Sequence, residues 1–179
     1  LIEGQQGLVL DGQGSSFVYH DRMQPITIDG SKDITVQDLD IDWDIPLTAQ
    51  AEVKASTDGY IEISINTRES PYIIENDKLV FVGEGWKSAW WDAMEFDRKT
   101  RIVVPQTGDA SCLGGNFGGY KAEELSYGIV RMHFPFKRRP AVGNMLVLRH
   151  SARDHAGIFV VNSKDVRFDK VNIYQTGGL

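Results

Sequence analysis

The sequence predicts an all-β protein, with solenoid rungs at both ends of the chain and a small antiparallel barrel between them. Three observations predict it. Helical periodicity is almost absent, with residues 121–126 as the one short passable stretch. Short runs rich in Val, Ile, Phe and Tyr recur from end to end, bounded by Gly, Asn, Asp and Ser. Two of these runs repeat each other around the same polar turn.

The expected strands fall at 7–11, 17–20, 26–29, 34–36 and 39–43, then at 51–55, 60–66, 78–82, 94–96, 101–104 and 129–133. The last are 145–149, 157–161, 166–168 and 171–174. Asp58-Gly59 between two alternating runs predicts a hairpin, and Asp97-Arg98-Lys99-Thr100 predicts a second with a four-residue loop. The repeat aligns residues 26–42 with 158–174 without gaps, an offset of 132 (158 less 26). Ser31-Lys32-Asp33 recurs as Ser163-Lys164-Asp165, and Ile28, Ile34, Val36, Leu39 and Ile41 answer to Val160, Val166, Phe168, Val171 and Ile173. A looser copy, Leu8-Val-Leu-Asp-Gly-Gln-Gly14 followed by Phe17, opens the chain. Short apolar strands joined by a fixed polar corner are the pattern of a solenoid, in which stacking buries what one rung cannot bury alone.

Residues 47–144 lack the corner and carry longer strands, hairpin signals and the aromatics Trp86, Trp90, Trp91, Phe96 and Phe117. They are expected to form an inserted barrel or sandwich with its own aromatic core. Rungs are expected at 1–46 and 145–179, with exit and re-entry at Pro46 and Gly143. The start at Leu1 and the break in mid-rung at Leu179 lead us to expect the front part of a longer protein.

Composition narrows the function. Hydrophobic residues at 41% and charged residues at 25% describe a folded globular chain rather than a disordered one. A net charge of −6 argues against nucleic-acid or anionic-membrane binding. Nothing approaches a spanning helix. The single Cys112 excludes an internal disulfide or a Cys-based zinc site, and Gly83-Glu-Gly85 is too sparse for a phosphate loop.

Two polar clusters are candidate substrate contacts. Arg149, His150, Arg153, Asp154 and His155 form the denser one, ahead of the second repeat. His20, Asp21 and Arg22 follow the strand at 17–20, at the position expected to stack near it. Either cluster reads as sugar-hydroxyl donors and acceptors or as a solvated loop, and neither has the spacing of a metal site. Asp40, Asp42 and Asp44 alternate with Ile41 and Trp43, which puts three carboxylates on one face of a strand; they read as glycosidic carboxylates or calcium ligands, with solvated surface acids the simpler reading. The tryptophans at 86–91 read as core or as a sugar-stacking platform, and Lys137-Arg138-Arg139 reads as a solvated loop.

Four phrases carry a family resemblance: Leu10-Asp-Gly-Gln-Gly-Ser-Ser-Phe17, Met23-Gln-Pro-Ile-Thr-Ile-Asp29, Ile41-Asp-Trp-Asp-Ile-Pro46 and Val142-Gly-Asn-Met-Leu-Val-Leu-Arg-His150. The last runs on into Gly157-Ile-Phe-Val-Val-Asn-Ser-Lys-Asp165 and Val171-Asn-Ile-Tyr174. In that order they resemble glycoside hydrolase family 110, the bacterial α-1,3-galactosidases. The resemblance implies a right-handed parallel β-helix with an early barrel insert. It further implies inverting, exo-acting removal of terminal α-galactose, a carbohydrate partner, and a secreted or periplasmic location, while the residues themselves point to no cofactor and no metal site. Self-association through solenoid ends is a further expectation. The family's Asp-Asp pair and Asn-His-Gly are absent from the sequence, so no catalytic residue is assigned; the catalytic carboxylates are expected beyond residue 179, and the chain alone is expected to be inactive. Two other readings fit the repeat: a lyase or polygalacturonase-like β-helix, and a non-catalytic glycan-binding solenoid.

Overall fold

The computed structural model describes residues 1–107, 119–134, 136, 138–150 and 156–176. The first strands are β1 (Ile2–Glu3), β2 (Val9–Tyr19), β3 (Ile26–Asp29), β4 (Lys32–Trp43), β5 (Thr48–Ser56), β6 (Tyr60–Ile65), β7 (Tyr72–Glu75) and β8 (Lys78–Gly83). Then follow β9 (Trp86–Ala89), β10 (Asp92–Phe96), β11 (Lys121–Ser126), β12 (Ile129–His133), β13 (Met145–Arg149), β14 (Ile158–Val161) and β15 (Lys164–Ile173). The stretch with a passable helical pattern is therefore the strand β11. The chain divides into two compact units, Leu1–Leu47 with Ala152–Leu179, and Thr48–Ser151. The acidic excess falls in the first unit, because the second carries as many basic as acidic residues.

The first unit holds two parallel three-stranded sheets, ordered β1-β3-β14 and β15-β4-β2. Their register is the sequence repeat. Ile26 pairs with Ile158 and Ile28 with Val160, while Ile34, Val36, Leu39 and Ile41 pair with Val166, Phe168, Val171 and Ile173. The loose first copy has a physical cause: β2 pairs Leu10 with Val36 but Phe17 with Ile41, with a register shift between Asp11 and Ser15. Gly12 sits in that shift, where a Cβ would fall 2.4 Å from the Leu39 Cβ and 2.6 Å from the Asp38 carbonyl oxygen.

The corners repeat as faithfully as the strands. Asp33 and Asp165 are left-handed at φ 54° and 56°, and Asp38 and Lys170 at 52° each. Asp and Asn tolerate this region through local hydrogen bonds, whereas other side chains lose about 1–2 kcal/mol there. The left-handed residues bend β4 and β15 without ending them, so the pairs of short strands expected from the sequence merge. At the next corner, the Ser31 N–H donates to the Ser163 Oγ (3.0 Å) and the Gln5 N–H donates to the Ser31 Oγ (3.1 Å). Each hydroxyl in turn donates to a carbonyl of its own corner, Asp29 at 2.9 Å and Val161 at 2.8 Å. Ser163→Ala removes both bonds of one step of this ladder. It should cost about 1 kcal/mol in chemical denaturation.

Side chains of β3 and β4 form the core of this unit: Ile28, Ile34, Val36, Leu39, Ile41 and Trp43 are buried. The outer strands are only half covered. Phe168 and Ile173 on β15 are 43% and 42% exposed, and Val9 on β2 is 61% exposed. Three stacked strands thus bury only the middle one.

The second unit is antiparallel, a six-stranded sheet ordered β10-β13-β5-β6-β12-β11 and a three-stranded sheet β7-β8-β9. β5 and β6 form the hairpin expected at Asp58-Gly59. The loop at 97–100 also closes as expected: the Asp97 carboxylate accepts the N–H groups of Lys99 and Thr100 at 3.0 and 2.8 Å. Beyond that loop only Val103 pairs, in an isolated bridge to Phe96, so the strand expected at 101–104 does not form. A third hairpin, β7–β8, turns at left-handed Asn76 and Asp77.

The residues 145–149, grouped by sequence with the C-terminal rungs, are strand β13 between β10 and β5. Its buried Leu146 and Leu148 alternate with half-buried Met145 and Val147, a pattern that suits a rung and a barrel strand equally. Gly143, expected as the point of re-entry, also belongs to this unit, where its N–H donates to the Val53 carbonyl at 2.8 Å.

Tyr120 ties the two antiparallel sheets together. Its hydroxyl accepts the Leu79 N–H at 3.1 Å, and its ring meets Trp90 edge-on with centroids 4.8 Å apart. Burial pushes the phenol up to about 12 from its ordinary 10.0. Folding therefore favours the neutral form, and the stabilisation is complete below pH 10 and lost as pH climbs toward 12. A spectroscopic titration of tyrosinate should show Tyr120 among the phenols that ionise late, beside Tyr72, and Tyr120→Phe should reduce that late component by one phenol.

Candidate functional site

In the first unit, the pairing of Tyr19 with Trp43 brings the ends of β2 and β4 together, with ring centroids 6.0 Å apart. Burial raises the Tyr19 phenol above its ordinary value, so it remains a neutral donor and acceptor. His20 follows, exposed, with Nδ1 3.2 Å from the Asp44 Oδ2. Asp21 is left-handed at φ 80°, and its carboxylate accepts the Arg22 N–H at 2.6 Å. Asp21 thus shapes the turn, while His20 is presented to solvent and oriented by a carboxylate. An imidazole so held can exchange hydrogen bonds with a sugar hydroxyl.

The acidic strand behaves as its alternation predicts, with Ile41 and Trp43 buried and Asp40 and Asp42 facing outward. Those two carboxylates have structural partners: Asn172 Nδ2 donates to Asp40 at 2.7 Å, and Gln175 Nε2 donates to Asp42 at 2.9 Å. They extend the side-chain ladder between neighbouring strands.

Arg149 and His150 lie in the second unit. Arg149 pairs with Asp92 across β13 and β10, and their charged groups approach to 3.8 Å with little exposure. His150 is 2% exposed, its ring stacked on Phe81 and Trp86 with centroids 4.4 and 5.5 Å away. The structure gives both residues roles in packing. Arg153, Asp154 and His155 lie outside the described residues, as do Cys112, Phe117 and Lys137. Arg149 and His150 thus belong to a different unit from His20, Asp21 and Arg22.

Of the tryptophans, Trp86 and Trp90 are buried and Trp91 is 42% exposed. Gly83 permits the Trp86 packing, since a Cβ there would fall 2.4 Å from the indole ring. Arg138 donates to the carbonyls of Pro105 and Gln106 at 2.8 and 3.0 Å, and Arg139 pairs with Asp58 at 3.0 Å. Sequence reasoning missed two buried acids, Asp92 and Glu95. The Glu95 Oε1 accepts the Ala141 N–H at 2.9 Å and the Asn144 Nδ2 at 2.7 Å, bracing the turn before β13. Its position between Met94 and Phe96 in a short strand was the available signal. Among the described residues, no helix is long and apolar enough to cross a membrane.

A family model described as GLAA-B beta-barrel domain I matches residues 49–146, which span β5 to β13 of the antiparallel unit. The chain belongs to this GLAA-B family. Its relatives include alpha-1,3-galactosidase B of Bacteroides thetaiotaomicron, 48% identical over 185 residues, a match covering 100% of this chain and 29% of that protein. An alpha-1,3-galactosidase B of Phocaeicola vulgatus is 30% identical over 178 residues, covering 99% and 29% of the two chains. Alpha-1,3-galactosidase A of Bacteroides fragilis is 28% identical over 172 residues, covering 96% and 27%. This GLAA-B chain therefore spans under a third of each of these relatives. The resemblance to the α-1,3-galactosidases carried by the four phrases is shown, and it extends over the whole chain.

Proposed function

We propose that this chain is part of a glycoside hydrolase that removes terminal α-1,3-linked galactose with inversion, and that its two parallel sheets are rungs of a right-handed parallel β-helix. The observation that carries the reading is 48% identity to alpha-1,3-galactosidase B across 100% of the chain. The 132-residue register supports the rungs, since hydrogen bonds such as those from Gln24 to Ala156 and from Asn172 to Asp40 keep the same offset. The antiparallel unit is then an insert in the sequence between two rungs.

Inversion uses an acid and a base carboxylate about 6.5–9.5 Å apart, with a water between base and sugar. Asp40 and Asp42 are engaged by neighbouring amides and do not suit that work. We assign the catalytic pair to residues outside 1–179, consistent with the absence of Asp-Asp and Asn-His-Gly from this sequence. Of the expected substrate contacts, His20 has the geometry for one. His20→Ala should raise KM with kcat largely retained, as loss of uniform binding does. Arg153, Asp154 and His155 stay in the proposal from the sequence. A secreted or periplasmic location follows from the substrate class, and self-association through the half-exposed β15 edge belongs to the same proposal.

A panel of substrates tests the reading. The complete gene product carrying this sequence should release galactose from a terminal α-1,3-galactoside and leave polygalacturonate intact. The reverse pattern would replace the galactosidase with a polygalacturonase-like enzyme, and tight binding without turnover would leave a glycan-binding solenoid.

A further inference from the structure

The outer face of the antiparallel unit carries a groove of about 400 Å³ with an apolar floor and a polar rim. The floor is built by register. Phe96 on β10 lies beside Met145 on β13, and Val147 on β13 lies beside Gln50 on β5. Phe96, Met145 and Val147 are each half-buried, so their apolar surface remains available. The rim comes from the 97–101 turn. The Arg98 Nη1 reaches the Glu52 Oε1 at 3.2 Å, and Glu52 is the register partner of Met145, so this side chain arches across the floor. The Arg98 N–H donates to the Asn144 Oδ1 at 3.2 Å, which fixes its base. Arg101 lines the groove and its guanidinium has no hydrogen-bond partner among the described residues.

An aromatic ring and aliphatic side chains flanked by an amide and guanidinium groups suit a ligand with one apolar face and a hydroxylated edge. A galactopyranose has that shape. Its axial C4 hydroxyl leaves the hydrogens on C3, C4 and C5 as one continuous apolar face, and its hydroxyls lie around the edge. The volume is enough for one or two sugar rings.

We propose that this groove is a galactoside-binding site that holds a galactose-terminated glycan on the barrel. The choice of sugar rests on the galactosidase reading. The apolar face of the ring covers Phe96, Met145 and Val147, while Gln50, Arg98 and Arg101 meet the hydroxyls.

The chain contains 4 methionines, so a sample labelled at the methionine methyl gives a sparse spectrum in which Met145→Leu assigns the floor signal. Titrating residues 1–179 with α-1,3-galactobiose should shift the Met145 methyl saturably below about 10 mM. Gln50→Ala and Arg101→Ala alter exposed side chains and should each weaken that binding about tenfold without changing the thermal transition. The glucosyl epimer should bind at least about tenfold more weakly, because an equatorial C4 hydroxyl breaks the apolar face. An unmoved Met145 signal, equal binding of the epimer, or binding untouched by both substitutions would overturn the proposal. A complete gene product that hydrolyses galactosides while the groove stays silent removes this inference alone. A groove that binds galactoside in a protein without hydrolysis removes the galactosidase reading and leaves the groove standing.

Discussion

Chains carrying Ile41→Ala should unfold with about 2–5 kcal/mol less stability than the parent. Ile41 is fully buried at the centre of the first unit, with Phe17 beside it on one neighbouring strand and Ile173 on the other. Truncation removes the transfer energy of three carbons and opens a cavity between two ladders of backbone hydrogen bonds that cannot collapse onto it. Ile173→Ala gives the contrast. Its side chain is 42% exposed on the outer strand, so the same chemistry should cost well under half as much. Denaturant unfolding of the two variants checks this. Equal losses would mean that β4 is not the central strand of a stack.

The second large effect is expected from Phe81→Ala in the antiparallel unit, at about 3–5 kcal/mol. Phe81 is 1% exposed on the central strand of β7-β8-β9, and its ring stacks on His150. Removing it should also release the His150 imidazole, which gains solvent contact. Deuterium exchange at the imidazole C2 position should show one histidine becoming more accessible in the variant. The effects of Phe81→Ala and Ile41→Ala should add, since the residues belong to separate compact units. Strong coupling would contradict two independent cores.

The repeat was legible because parallel stacking places like on like. Ile28 needs an apolar neighbour at Val160, and the corner geometry demands a residue such as Asp33 or Asp165 that accepts a left-handed backbone. Both requirements write themselves into sequence at one fixed offset. Strand ends were less legible, because Asp38 and Lys170 mark bends that look like breaks. The β7–β8 hairpin escaped notice although Asn76-Asp77 is a turn of the kind that left-handed residues make.

The site was harder to read for a different reason. Arg149 and His150 look like a polar rim, yet Asp92 and the rings of Phe81 and Trp86 enclose them from more than fifty positions away. An imidazole is flat enough to stack in a core, and its polarity alone does not tell where it sits. His20 is exposed, and its partner Asp44 lies close in the fold because the two residues follow directly on the paired strands β2 and β4.

The central proposal is that this chain belongs to a protein that hydrolyses terminal α-1,3-galactosides. The most direct test is a proton NMR time course of the complete gene product on the methyl β-glycoside of α-1,3-galactobiose, whose non-reducing galactose is the one sugar released with a free anomeric centre. The account predicts β-galactose first, followed by slow mutarotation to the α form, as inversion requires. An intact substrate, or α-galactose appearing first, would contradict it.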